Sequence, residues 1–263
     1  MRIVVVGCGW LGLPLAAAFA RDGHEVHGTT TRAERRAELR EHGVTPHLLR
    51  AGVTGVEGDA TVLAGADRVV VAIPPSGTGD GYGAAIGHVA TASADAGQLI
   101  HASSTGVYPD RPGHPITRED DLAQEPSERA ARLLAAEAAV DAAAVPATVL
   151  RLAGLWGHGR HPVRFLAGRD RPGGDAPVNL VHRDDVIDAV RAVAGDPPVT
   201  GTFSVVAAEH PPRGAFYRAE AERLGLEPRF GPGPSPGKRV VAERLAAATG
   251  WRARWRPGDP AAP

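Results

Sequence analysis

Met1-Arg2-Ile3-Val4-Val5-Val6-Gly7-Cys8-Gly9-Trp10-Leu11-Gly12-Leu13-Pro14-Leu15-Ala16 is the stretch that decides the fold. Residues 2–6 are a short apolar, β-branched run, the pattern of a strand buried on both faces. Leu13–Arg21 reads as an Ala-rich helix closed by Asp22-Gly23. The three glycines that separate them follow a G-x-G-x-x-G spacing. In that setting the first glycine makes the tight turn and the second lets the backbone approach a pyrophosphate. The third lets the helix pack closely on the strand. The start of the helix then offers unpaired N–H groups and the positive end of its dipole to phosphate. Glycines at this spacing are weak on their own, but the strand before and the helix after make them a dinucleotide cradle. Gly7, Gly9, Trp10, Leu11 and Gly12 are therefore expected to bind the cofactor. Cys8 occupies a variable position of the loop and reads as a small space-filler, since no base lies near it in sequence.

Working outward, Glu25–Thr30 is the second strand, and its end chooses the dinucleotide. An Asp or Glu there would accept the ribose hydroxyls of NAD. The segment is instead Gly28-Thr29-Thr30-Thr31-Arg32, with no carboxylate before Glu34. Threonine hydroxyls and an arginine fork suit a 2′-phosphate, so NADP(H) is expected over NAD(H), held by Thr30, Thr31 and Arg32. Arg32–Glu41 reads as helical, and a cation in a first helical turn is unfavourable, which points to a role beyond the helix.

Beyond it, Val44–Leu49 and Arg68–Ile73 read as the third and fourth strands, the latter stopped by Pro74-Pro75. Tyr82–Ala96 is a helix with poor formers, and Gln98–Ser103 is the fifth strand. The ends of the fourth and fifth strands, Ile73-Pro74 and Ser103, are expected to line the cofactor too. Pro109–Pro126 is a proline-rich loop. Ser127–Ala144 is a helix with Ser127 as N-cap, and Ala147–Leu152 is the sixth strand. From Gly154 on, Gly and Pro are denser. Helices are expected over Asp184–Ala194, Arg213–Leu224 and Val240–Thr249, with a strand near Thr202–Val206, a linker over Pro228–Gly237 and a frayed tail over Pro257–Pro263. Alternating strands and helices imply an α/β fold, a Rossmann-type doubly wound parallel sheet with a small C-terminal substrate lobe. The expected partition is a nucleotide-binding domain over 1–153, rejoined by 183–206, and a lobe formed by 154–182 and 207–263.

Composition excludes other classes. The 263 residues carry a formal net charge of −1, so no global field attracts nucleic acid or a membrane surface. Hydrophobic residues make up 43%, but Gly, Pro or charge interrupts every run before it could span a bilayer. The single cysteine excludes an internal disulfide, and no signal peptide is legible at the start. Both fit a cytoplasmic protein. The expected partner is a small-molecule substrate, and a homodimer stays open.

These stretches together resemble the extended and atypical short-chain dehydrogenase/reductase superfamily, in its NAD-dependent epimerase/dehydratase branch. The resemblance rests on Val6–Gly12, Ile100-His101-Ala102-Ser103-Ser104-Thr105-Gly106-Val107-Tyr108, Leu150–Gly157, Asn179–Val186 and Gly201–Val205. It implies a sheet of about seven strands and chemistry by a Ser/Thr with a Tyr-x-x-x-Lys pair on one helix face. Ser104 falls where that hydroxyl lies, so it is a candidate for catalysis and substrate contact. The pair is missing. The only tyrosines are Tyr82, Tyr108 and Tyr217, and four residues after them stand Ile86, Pro112 and Ala221. Aligning the helix on Leu134–Glu137 puts Arg129 at the tyrosine position and Leu133 at the lysine position; a one-residue slip gives Glu128 and Arg132 instead, and no slip produces the pair. An arginine binds anions but is a poor acid.

Candidate proton donors are then Tyr108, which follows the fifth strand, and His182, beside Asp184-Asp185. Packing against the proline-rich loop and an ordinary helix start are the structural alternatives. Trp156, His158 and Arg160, with Arg129, are candidate substrate contacts. No metal is expected, because no Cys or carboxylate stands at ligand spacing beside His158 and His161. The expected activity is an NADP(H)-dependent oxidoreductase acting on a small metabolite. An imine or polarised alkene would ask least of the missing tyrosine. The alternatives are an isomerase or lyase that retains its nucleotide, and a catalytically silent sensor.

Overall fold

The computed structural model describes residues 1–259 except 78, 112–114, 117–118, 167–169, 173, 227–228 and 232–236. In chain order the strands are β1 (Arg2–Val6), β2 (Glu25–Thr30), β3 (Thr45–Ala51), β4 (Val56–Gly58), β5 (Arg68–Val71), β6 (Leu99–Ser104), β7 (Pro115–Ile116), β8 (Ala147–Leu152), β9 (Gly154–Trp156), β10 (Asp170–Pro172), β11 (Leu180–His182), β12 (Gly201–Val205), β13 (Arg229–Gly231) and β14 (Arg239–Val240). The helices are α1 (Gly12–Arg21), α2 (Arg36–Glu41), α3 (Tyr82–Ala92), α4 (Glu128–Asp141), α5 (Pro162–Leu166), α6 (Arg183–Val193), α7 (Arg213–Arg223) and α8 (Glu243–Thr249).

The main sheet has eight strands in the order β12-β8-β6-β5-β1-β2-β3-β4. The β1–β2, β1–β5, β2–β3 and β5–β6 pairs are parallel, with Ile3 opposite both Val26 and Arg68. The edge strand β4 runs antiparallel to β3. It is the strand the sequence reading lacked, a three-residue segment too short for alternation to show. Ile3–Val6 and Val69–Val71 are all buried, as a parallel sheet covered by helices on both faces requires.

Contacts divide the chain into two compact units. The first comprises Met1–Val107, Pro126–Arg151 and Ala189–Thr202. Here α1 buries Leu13 and Leu15–Phe19, and α4 buries Ala130, Leu133, Ala136, Glu137 and Val140 at helical spacing. Ser127 caps α4 by accepting the Ala130 N–H. The weak helix formers of α3 have a use. A Cβ on Gly83 would come 2.8 Å from the Ala135 methyl, so glycine is what lets α3 and α4 approach. Segment 189–202 is tied in by polar groups: Arg68 donates to the Ala194 and Gly195 carbonyls, and Gln98 donates to Thr148, Val193 and Val199.

The second unit comprises Tyr108–Glu125, Leu152–Asp188 and Phe203–Pro263. Its apolar cluster is Trp156, Val163, Val178, Leu180, Phe216, Tyr217 and Ala221. The strands unforeseen in sequence pair here two by two, β9 with β11, β7 with β14 and β10 with β13. The Pro109–Pro126 stretch thus contains a strand, and β13 lies inside the expected 228–237 linker. Most of that linker falls outside the described residues. Asn179 accepts the Val240 N–H and donates to the Lys238 carbonyl, while Asp185 accepts the Arg254 and Trp255 N–H groups. Burial raises the Asp185 pKa, and those two backbone donors oppose the shift. No helix among the described residues is long and apolar enough to cross a membrane.

Candidate functional site

Strand β1 ends at Val6 and the chain turns at Gly7, whose φ of +95° lies in the region glycine alone enters freely. The Gly9 N–H donates to the Gly7 carbonyl at 2.8 Å, and the Cys8 N–H to the Thr29 carbonyl at 2.8 Å. The Thr29 hydroxyl accepts the Gly7 N–H at 3.0 Å, so the end of β2 braces the loop. A Cβ on Gly12 would overlap the Gly7 carbonyl oxygen. A Cβ on Gly9 would meet no atom within 4 Å. Gly12 is thus a packing glycine, and Gly9 is a glycine facing open space. Helix α1 starts beside that space with no side-chain cap and no acidic residue in its first turn, unlike the Ser127-capped α4. Uncapped N–H groups beside an open backbone are the features a pyrophosphate uses. Trp10 and Leu11, half-buried, complete the turn into the helix. Cys8 is 2% exposed and burial pushes its thiol up to about 12, which keeps it protonated.

Past β2, Thr30 is buried and its hydroxyl accepts the Arg32 N–H at 3.2 Å, while Thr31 and Arg32 are exposed. Arg32 is extended, with φ −121°. The chain passes through a 3-10 turn, Ala33–Arg35, and α2 begins only at Arg36, so Arg32 is outside the first helical turn the sequence reading gave it. The arginine that the sequence reading missed is Arg35. It donates to the Cys8 carbonyl at 2.6 Å and to Glu38 at 2.7 Å, locking the turn after β2 onto the glycine loop.

Parallel pairing puts the ends of β1, β5 and β6 on one edge of the sheet in adjacent positions. Gly7 lies close to this β5 end, since a Cβ there would come 3.2 Å from Ala72 backbone and Ile73 atoms. The Tyr82 hydroxyl donates to the Ile73 carbonyl at 2.9 Å and fixes the Ile73-Pro74 segment. At the end of β6 the two serines diverge. The buried Ser103 hydroxyl donates to Glu137, which is ion-paired with Arg151 at 2.7 Å in the interior. Ser104 is half-buried and its Oγ accepts the Gly106 N–H at 3.1 Å. A Cβ on Gly106 would lie 3.3 Å from Ser104 Oγ, 3.4 Å from Leu133 Cδ1 and 3.9 Å from Arg129 Nε. The fold therefore brings Ser104 and Arg129 to the same glycine.

The other sequence candidates belong to the second unit. Tyr108 is 3% exposed, and its hydroxyl is hydrogen-bonded to Ser204 Oγ at 2.7 Å. The Ser204 N–H donates to Glu119, and Lys238 Nζ donates to the Tyr108 carbonyl. His182 is fully buried. Its Nδ1 accepts the Asp184 N–H at 3.2 Å, its Nε2 edge packs against Gly157, and Trp156 meets its ring edge-on at 4.8 Å. His158, with φ +49°, pairs through Nε2 with Asp184 Oδ1 at 2.8 Å. His158, His182 and Asp184 bring ligand atoms within 4.8 Å of one another. Asp184 lies 26 residues from His158, beyond any local ligand spacing. Hydrogen bonds at the start of α6 account for the grouping. Arg160 is exposed and exchanges backbone hydrogen bonds with Gly157. His161 pairs with Glu220 at 2.8 Å, and burial lowers its pKa.

The family described as NAD(P)H-binding matches residues 7–197. Protein YeeZ of Escherichia coli (strain K12) is 37% identical over 238 residues, which cover 86% of this chain and 85% of that protein. Among solved structures, a functionally unknown conserved protein from Silicibacter pomeroyi DSS aligns with TM-score 0.77 at 24% identity, over 98% of this chain and 94% of that one. MoeE5 in complex with UDP-glucose and NAD aligns with TM-score 0.77 at 19% identity, over 97% and 94%. A UDP-glucose-4-epimerase from Stenotrophomonas maltophila with bound NAD aligns with TM-score 0.77 at 17% identity, over 98% and 95%. At these identities the structures share the fold, and it is the fold expected from the epimerase/dehydratase resemblance.

Proposed function

The chain belongs to the NAD(P)H-binding family, and on that premise we propose that it is an NADP(H)-dependent oxidoreductase acting on a small metabolite. One observation carries the reading. Gly9 faces open space beside an uncapped helix start, whereas Gly7 is required by its positive φ and Gly12 by packing against the Gly7 carbonyl. Gly7, Gly9, Trp10, Leu11 and Gly12 would hold the pyrophosphate, with Ile73 and Pro74 beside them. Thr30, Thr31 and the exposed Arg32 would take a 2′-phosphate, and no carboxylate at the end of β2 competes for ribose hydroxyls. When bound, the reduced nicotinamide would supply a hydride. Ser104, at the end of β6, would contact the substrate.

The substrate is proposed to be an imine or a polarised alkene. Support comes from how the candidate acids are engaged. Tyr108 shares its hydroxyl with Ser204, and His182 has its Nδ1 turned to a backbone N–H. A protonated imine brings the proton that a ketone must be given. A second reading, a nucleotide-holding sensor, is favoured by Leu133, which is 2% exposed at the position aligned with the family's lysine. Following the absorbance of NADPH against a panel of imines, enones and ketones, beside thermal shifts with NADPH and NADH, separates the readings. Turnover of imines or enones is the expected result. Nucleotide binding with no turnover of any class would replace the oxidoreductase by the sensor, and no nucleotide binding would overturn both.

A further inference from the structure

The surroundings of Gly106 carry a statement about substrate class, which rests on the oxidoreductase reading above. Arg129 is exposed at the start of α4, and no hydrogen bond or ion pair engages its side chain among the described residues. Its neighbours behave differently. Arg132 pairs with Asp80 at 2.8 Å and Glu128 at 3.5 Å, so the acid adjacent to Arg129 is spent on another arginine. The Arg129 guanidinium instead leans to Gly106, where its Nε and Ser104 Oγ flank the same missing side chain at 3.9 and 3.3 Å. The two atoms are no farther apart than the sum of those distances. Ser104 accepts one hydrogen bond from the Gly106 N–H, and its own proton is not used by that bond. Ser104 ends β6 and Arg129 reaches the same turn from α4; the end of β6 is two strands from the glycine loop in the order β6-β5-β1, or about 10 Å along the edge at the usual strand spacing.

We infer that Arg129 and Ser104 form a recognition pair for a carboxylate, so that the substrate of this protein is an organic acid whose carboxylate stands next to the reacting carbon. A guanidinium presents a planar fork that matches a carboxylate in two hydrogen bonds, and Ser104 supplies a third donor beside it. The charge also suits a carboxylate better than a phosphate ester. Among the described residues Arg129 is the one unpaired cation at this turn, and the Ala130 N–H of α4 is already taken by Ser127. Arg129 stays charged at every working pH, so its part is to bind and orient, and it does not donate the proton.

The test uses the whole protein loaded with saturating NADPH and reads the further thermal shift and the quenching of bound-nicotinamide fluorescence. The probes are oxalate, oxamate, malonate and succinate, with oxamide as the uncharged counterpart and inorganic phosphate as the competing anion. At least one carboxylate is expected to bind in preference to oxamide and phosphate. Its affinity should fall about ten- to hundred-fold in Arg129→Gln, the range for a hydrogen-bonded charge. Arg129→Lys should recover part of the loss, since an ammonium keeps the charge and loses the fork. Equal binding of oxamide or phosphate, an unchanged affinity in Arg129→Gln, or no carboxylate binding at all would overturn the assignment. The shift given by NADPH alone keeps the two levels apart. Its absence overturns the nucleotide reading, and its presence without a carboxylate response overturns only this one.

Discussion

Gly9→Val and Gly12→Ala, made side by side, are expected to fail in opposite ways. A Cβ on Gly9 meets nothing within 4 Å, and Gly9 does not occupy a positive φ. The substitution therefore brings neither overlap nor backbone strain, and its effect on stability should stay within about ±0.5 kcal/mol, as for exposed sites in general. For a chain of this size that is ~2 °C or less, at roughly 2–4 °C per kcal/mol. Wild-type protein in NADPH at about 100 times its Kd gains about 2.7 kcal/mol, an upward shift of roughly 5–10 °C. Valine fills the space where the pyrophosphate backbone contact would form, so Gly9→Val should lose nearly all of that shift while remaining folded. Gly12→Ala does the reverse. Its Cβ overlaps the Gly7 carbonyl, a backbone atom that cannot swing aside, and overpacking of that kind costs about 1–3 kcal/mol. The melting temperature without nucleotide should drop by several degrees. Differential scanning fluorimetry with and without NADPH, with circular dichroism to confirm folding, reads both variants. A folded Gly9→Val that keeps the full NADPH shift would refute the phosphate-cradle argument. A Gly12→Ala as stable as the parent would refute the packing argument.

Three further outcomes are expected. Arg32→Ala should bring the NADPH shift down to the NADH shift while leaving the latter in place, and a parent protein that prefers NADH would remove the premise. Tyr108→Phe should cost about 1 kcal/mol by leaving Ser204 Oγ unpartnered, with turnover nearly unchanged. A ~10²–10⁴-fold loss of rate at unchanged nucleotide affinity would instead make Tyr108 the proton donor. His101 is fully buried, neither ring nitrogen has a partner among the described residues, and burial lowers its pKa to about 4. A depressed folded pKa means that the native state holds the neutral ring. The associated stability is complete above pH ~6.5 and is lost as pH falls toward 4, up to roughly 3 kcal/mol. In a series of urea melts His101→Leu should flatten that fall, and an unchanged pH dependence would show that His101 does not cause it.

The first nucleotide-binding elements were legible because their signals are local. A β-branched run, three glycines at fixed spacing and an Ala-rich helix each depend on residues within one turn or one strand, so Arg2–Val6, Glu25–Thr30 and Ala147–Leu152 could be read closely. The N-cap at Ser127 was legible for the same reason. The small strands β9 and β11 were not. Each has three residues, below the length at which period-two alternation emerges, and gains its partner from 26 residues away. Arg35 shows the limit at the site itself. In sequence it is one of several arginines after β2, and only the turn that carries it back to the Cys8 carbonyl gives it a task. Ser103 and Ser104 are adjacent and chemically identical. The alternation of a strand sends one into the interior toward Glu137 and leaves the other at Gly106 with Arg129. The sequence by itself therefore determined the strand, glycine loop and helix that open an NAD(P)H-binding chain, and that no lysine stands four residues after any tyrosine. Which side chains meet around that loop was decided only by the tertiary structure, because contacts across a sheet edge are set by strand order and register, which no local pattern encodes.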